Sequence, residues 1–216
     1  MINKKEIARL HFITQPHPTV SYTKQVELAC KGDVRWIQLR EKTMSDEQLR
    51  PIAEEMAAIC KNYGATLVIN DRVELAADIN ADGVHIGKED MSPVEARKIL
   101  GAGKTIGGTA NTLEDMLKLA DMKVDYIGLG PFRFTATKKK LSPILGLEGY
   151  ANLLEKFRNT DNHTPVIGIG GIEHVDIPEL LKVGLHGIAV SSLIAQAEDA
   201  VLAAEYTNLI ISQQTI

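Results

Sequence analysis

Cysteine is scarce in this chain: Cys30 and Cys60 are the only two in 216 residues, and they sit in separate helix-like segments with no paired motif. That excludes a disulfide framework and a zinc centre of Cys/His type, and it makes a reducing cytoplasm the expected setting, with both thiols buried and structural. Net positive charge is lacking too. Lys and Arg number 24 against 28 Asp and Glu, a formal balance of −4, so there is no basic footprint for a nucleic acid and any anion site has to be local. No apolar run approaches the ~18 residues of a membrane span. In the opening MINKKEIARLHFITQ, Arg9 and His11 interrupt the apolar stretch that a signal peptide needs. Absent as well are a low-complexity linker and a dinucleotide turn, since GIGGI at Gly168–Ile172 lacks the G-x-G-x-x-G spacing.

What is present is ordinary globular material, 44% hydrophobic and 24% charged, long enough for one sizeable core. Short β-branched runs alternate with amphipathic stretches. The strand candidates are LHFIT, RWIQLR, TLVIND, GVHIG, KTIGGTA, DYIGLG, PVIGIGG and GIAVSS, eight in all. Between them lie helix patterns such as SDEQLRPIAEEMAAICKNYG, opened by Ser45 or Asp46 and closed by Gly64, and SPVEARKILG, with Ser92 before Pro93. Strict alternation implies parallel strands with helical crossovers. Eight such units point to a (β/α)8 TIM barrel, one α/β domain over residues 1–216, with an open doubly wound sheet as the structural alternative.

A barrel of this kind carries its chemistry at the C-terminal ends of its strands. In RWIQLREK, Gln38, Arg40 and Lys42 recur at every second position and share one face of the second strand, a face suited to an anion. The third strand ends in Asn70 and Asp71, the fourth runs on to Asp90, and the fifth carries Thr109 and Asn111. Asp71 and Asp90 are either caps and ion-pair partners or the one or two carboxylates that Mg²⁺ takes alongside substrate phosphate oxygens. Arg40 offers a planar fork to phosphate, while Lys42 and Lys138 are point charges. Lys139 and Lys140 read as a solvated basic loop. Lys138 follows Thr135 and Thr137 in a connection longer than usual, a length common among binding loops. Gly170 and Gly171 after strand seven and Ser191 and Ser192 after strand eight form a second anion candidate, with SSLIAQA starting a short helix. No histidine is assigned a catalytic role; His85, inside strand four, reads as a satisfied core group.

Taken in order, QLREK, IND, GVHIGKED, GGTAN, TATK, GIGGI and VSS closely resemble the thiamine phosphate synthase family, from strand two to strand eight. The resemblance implies a transferase that joins 4-amino-2-methyl-5-hydroxymethylpyrimidine diphosphate to a carboxylated thiazole phosphate, releasing pyrophosphate and CO2 and forming thiamine monophosphate. By similarity Gln38, Leu39, Arg40, Glu41, Lys42 and Asn70 hold the pyrimidine diphosphate, Asp71 and Asp90 ligate Mg²⁺, Thr109 contacts the pyrimidine side and Lys138 the pyrophosphate. Thr135, Thr137, Gly171, Ser191 and Ser192 hold the thiazole phosphate. The family is thought to react dissociatively, and Arg40, Lys42 and Lys138 with Mg²⁺ then neutralise the leaving pyrophosphate while closure of the Phe132 to Gly146 loop excludes water. Thr109 departs from the serine of many relatives, keeping the hydroxyl and adding a stiff methyl, and RNTDNHTP before strand seven is longer than the pattern. The implied partners are small-molecule substrates, with no nucleic acid and no membrane, and a homo-oligomer is compatible with the family. A related isomerase such as a thiazole tautomerase, which has no need for Asp71, Asp90 and Lys138 together, and a catalytically silent phosphate-binding barrel are the competing readings.

Overall fold

In the computed structural model, which describes residues 6–134 and 143–214, eight parallel strands close on themselves. They are β1 Leu10–Ile13, β2 Trp36–Leu39, β3 Thr66–Asn70, β4 Gly83–Ile86, β5 Thr105–Ala110, β6 Tyr126–Leu129, β7 Val166–Ile169 and β8 Gly187–Val190. Each pairs with the next, and β8 pairs back to β1 with Leu10 opposite Ile188 and Phe12 opposite Val190. The barrel expected from the alternation is therefore present, and the open sheet is not.

Helices follow the strands: α1 Tyr22–Lys31, α2 Asp46–Asn62, α3 Val73–Asp78, α4 Pro93–Leu100, α5 Leu113–Asp121, α6 Gly146–Arg158, α7 Ile177–Lys182, α8 Ser192–Ala195 and α9 Ala200–Gln213. Several start where their sequences place a cap. The Ser45 and Ser92 hydroxyls accept from the N–H groups of Gln48 and Glu95, and those side chains reach back to the cap backbone in both cases. Among the described residues no helix is long and apolar enough to cross a membrane. Cys30 and Cys60 are buried and are not joined in a disulfide.

The period of two in each strand sorts the core into two shells. Outward residues such as Phe12, Ile37, Leu39, Leu67, Ile69, Val84, Ile127 and Ile188 pack against the helices. Inward residues Ile13, Trp36, Val68, Tyr126, Ile167 and Ala189 fill the barrel itself. His11 stacks on Trp36 with ring centroids 4.6 Å apart, and Tyr126 meets both rings edge-on. The barrel interior is thus a packed aromatic plug, with the site above it.

The plug needs room that one glycine supplies. A Cβ on Gly107, in β5, would overlap the ring and hydroxyl of Tyr126, which is buried on every side and has no alternative place to go. Gly107→Ala is expected to destabilise the fold by about 1–3 kcal/mol through this overpacking, read as a lower urea midpoint; an unchanged midpoint would mean the plug is loosely packed.

Candidate active site

At the mouth of the barrel the inward series of β2 continues upward from Trp36 through Gln38 to Arg40, while Ile37 and Leu39 face the helices. Gln38 is buried. The Arg40 N–H is held by Thr14 Oγ1 at 3.1 Å, which fixes the strand end against β1. The cationic face seen in the sequence is therefore set by the pleat.

Asp71 follows β3 in the left-handed region, at φ 64°, and its N–H donates to the His85 carbonyl at 2.8 Å. That conformation turns its side chain towards β4. There the Gly87 N–H reaches both Asp71 Oδ1 at 3.3 Å and Asp90 Oδ2 at 3.1 Å, so the two carboxylates converge on one amide. Lys42 Nζ lies 3.2 Å from Asp71 Oδ2. Burial raises the Asp90 carboxyl above its ordinary value, the hydrogen bond and charge of Asp71 raise it further, and Lys42 and the Gly87 N–H oppose the shift. Two converging hard-oxygen groups of like charge are a fit for a divalent cation that takes its remaining ligands from phosphate and water. No group of three or more His, Cys, Asp or Glu side chains that could hold a metal occurs among the described residues.

Beneath this group runs a buried polar chain. His85 Nδ1 is 3.0 Å from the Tyr126 hydroxyl, and His85 Nε2 is 3.0 Å from Thr109 Oγ1. Both ring nitrogens of His85 are thus engaged, so the Thr109 hydroxyl is tied to the plug despite the added methyl. Asn70 is opposite His85 in the register of β3 and β4. Asn111 Nδ2 donates to the Gly130 carbonyl, tying the end of β5 to that of β6.

The second region is a cavity of about 230 Å³ lined by Gln15, Arg40, Phe134, Gly170, Gly171, Ser191 and Ser192 among others. Gly170 and Gly171 both have positive φ, 98° and 70°, conformations that leave their turn to glycine. Arg133 braces that turn: its guanidinium donates to the Gly171 carbonyl at 2.7 Å and grips the Asp176 carboxylate at 2.7 and 2.9 Å. Ser191 precedes α8 without capping it by its side chain, and its hydroxyl donates instead to Gln15 Oε1 at 3.2 Å. Arg40, on the inward face continued from β2, lines this cavity.

Two candidates from the sequence turn elsewhere. Leu39 is part of the apolar shell under the helices. The Glu41 carboxylate faces α1 and accepts from the Tyr22 hydroxyl, from the Thr43 hydroxyl and N–H at 2.5 Å each, and from the Met44 N–H at 3.2 Å. Thr135, Thr137 and Lys138 lie outside the described residues. Gln15, a neutral residue just after β1 with no chemical signature in the sequence, joins the cavity wall.

Comparisons agree on one family. A model of the thiamine monophosphate synthase family matches residues 10–194. The chain is 48% identical over 192 residues to the thiamine-phosphate synthase of Phocaeicola vulgatus, covering 89% of this chain and 92% of that one. It is 45% identical over 191 residues to the protein of the same name from Flavobacterium psychrophilum, covering 88% and 93%. Among solved structures, the thiamine phosphate pyrophosphorylase from Pyrococcus furiosus superposes with a TM-score of 0.86 at 30% identity, covering 96% of this chain and 97% of that one.

Glu41 generates a pH dependence. Burial acts to raise its carboxyl, but the hydrogen bonds from Thr43, Tyr22 and Met44 outweigh burial and hold it down to about 2. Its stabilisation is present in full above the ordinary carboxylate range and is lost as pH falls towards 2. Glu41→Gln is expected to cost on the order of 2–3 kcal/mol at neutral pH, with the gap to wild type narrowing from about pH 5 to about pH 2. Urea unfolding at a series of pH values checks this, and a gap constant across that window would contradict it.

Proposed function

The chain belongs to the thiamine monophosphate synthase family and is a transferase that forms thiamine monophosphate, and from that premise we propose how its rim residues carry out the condensation. The substrates are the pyrimidine diphosphate and the carboxylated thiazole phosphate, and the reaction releases pyrophosphate and CO2. The observation that supports this reading is the convergence of Asp71 and Asp90 on the Gly87 amide with Lys42 beside Asp71, a group suited to a metal diphosphate. The same barrel mouth holds a cavity lined by Arg40, Ser191 and Ser192 and suited to a second phosphate.

Gln38, Arg40, Lys42 and Asn70 hold the pyrimidine diphosphate, with the Arg40 fork and the Lys42 ammonium on its phosphate oxygens. Thr109 presents its hydroxyl to the pyrimidine, steadied from below by His85. Asp71 and Asp90 hold Mg²⁺, which when bound supplies charge neutralisation on the leaving pyrophosphate. Gly171, Ser191 and Ser192 receive the thiazole phosphate. Lys138 on the pyrophosphate, and Thr135 and Thr137 on the thiazole phosphate, rest on family similarity. Bond cleavage precedes attack by the thiazole nitrogen, so the chain's main tasks are to stabilise the leaving group and to exclude water. Buried cysteines that are not joined in a disulfide, Cys30 and Cys60, support a cytoplasmic setting.

The test is pyrophosphate release by purified protein given both substrates and Mg²⁺, with thiamine phosphate followed in parallel. Matching release and product, lost on chelation, are expected. Asp71→Asn and Asp90→Asn should each lower kcat about a hundredfold, and ordinary turnover in chelator would remove the metal from the mechanism. Ser192→Ala should raise the thiazole phosphate KM about tenfold. Thiazole phosphate binding without any product would favour the tautomerase or the silent barrel.

A further inference from the structure

Among the described residues, two buried side-chain polar atoms have no hydrogen-bond partner, Gln15 Nε2 and Trp36 Nε1. Trp36 belongs to the plug inside the barrel. Gln15 belongs to the cavity wall. An amide donor stripped of water and left unpaired is costly to a free protein, and such an atom calls for an explanation.

The local fold does not supply one. Gln15 follows the end of β1 and is 6% exposed. Its backbone is held by Gln25 of α1, whose Oε1 accepts from the Gln15 N–H at 3.3 Å and whose Nε2 donates to the Gln15 carbonyl at 2.8 Å. Those bonds use the main chain alone, so the Gln15 side chain has no part in anchoring α1. Its Oε1 accepts from Ser191 Oγ at 3.2 Å. Nε2 shares the amide carbon with Oε1, which places the unpaired donor at the same wall as Ser191. Among the described residues lining this cavity Arg40 is the only charged one, so the wall presents donors and one cation with no acidic group against them.

We propose that Gln15 is a substrate-binding residue whose Nε2 donates to a phosphate oxygen of the thiazole substrate. This rests on the function proposed above. The arriving oxygen satisfies the orphan donor, and the Ser191 hydroxyl keeps the amide turned so that its nitrogen faces the ligand. Gln15 therefore discriminates in favour of an anionic group at this position of the cavity.

The experiment is calorimetric titration of thiazole phosphate into the full-length wild type, Gln15→Glu and Gln15→Met, with steady-state kinetics on the same preparations. Gln15→Met removes the donor at similar volume. Gln15→Glu keeps an acceptor for Ser191 and places an oxygen where the donor was. Both are expected to weaken thiazole phosphate binding about tenfold or more, the glutamate variant by the larger factor, with the KM for the pyrimidine diphosphate and the thermal midpoint of Gln15→Met little changed. The same loss towards decarboxylated thiazole phosphate is expected, because the phosphate is common to both. Unchanged affinity in a folded Gln15→Met, or wild-type affinity in Gln15→Glu, would overturn the proposal, as would a loss confined to the carboxylated substrate. A wild type that binds thiazole phosphate but forms no thiamine phosphate would overturn the proposed function and leave the binding comparison at Gln15 readable.

Discussion

Pairing of β1 with β8 closes the sheet, and the arrangement of the mouth depends on that closure. An open sheet would leave Gln15 and Ser191 on opposite edges; closure puts their side chains within hydrogen-bonding reach. Closure also gives every strand one enclosed face, so the alternation of side chains becomes a division between a polar rim above a packed interior and an apolar shell beneath the helices. Arg40 reaches the cavity because Trp36 and Gln38 lie below it on the same face.

Much of this was legible in the sequence. Eight strand-like runs separated by capped amphipathic stretches specify a parallel barrel, and Ser45 and Ser92 start helices through local hydrogen bonds that need no tertiary information. The convergence of Asp71 and Asp90 was readable as two strand-end carboxylates, but the shared Gly87 amide was not, because it depends on the left-handed turn at Asp71. α9 was harder to anticipate: it is apolar around most of its circumference, with Leu202 and Leu209 exposed, and shows little of the one-sided pattern by which helices are recognised.

The alternation also corrects what a contiguous motif suggests. QLREK reads as five neighbouring contacts, yet the pleat sends Gln38 and Arg40 inward, Leu39 into the outer core and Glu41 to Tyr22. Glu41 is better understood as the group that organises the turn into α2, through the Thr43 and Met44 amides. Gln15 escaped notice for the opposite reason. It follows LHFIT directly and obeys the same strand-end rule, but its neutral side chain carries no chemical signature until its unpaired nitrogen is seen in three dimensions.

The aromatic plug of His11, Trp36 and Tyr126 has a geometric consequence. It makes the barrel a cup with a solid base, so its depth is a fixed length against which any bound molecule is measured. The Thr109 hydroxyl stands on that base through His85 and Tyr126, and its height therefore carries no slack from the loops above. The buried rings form the floor of the site, while the rim residues Arg40, Lys42, Asp71 and Asp90 carry its charge.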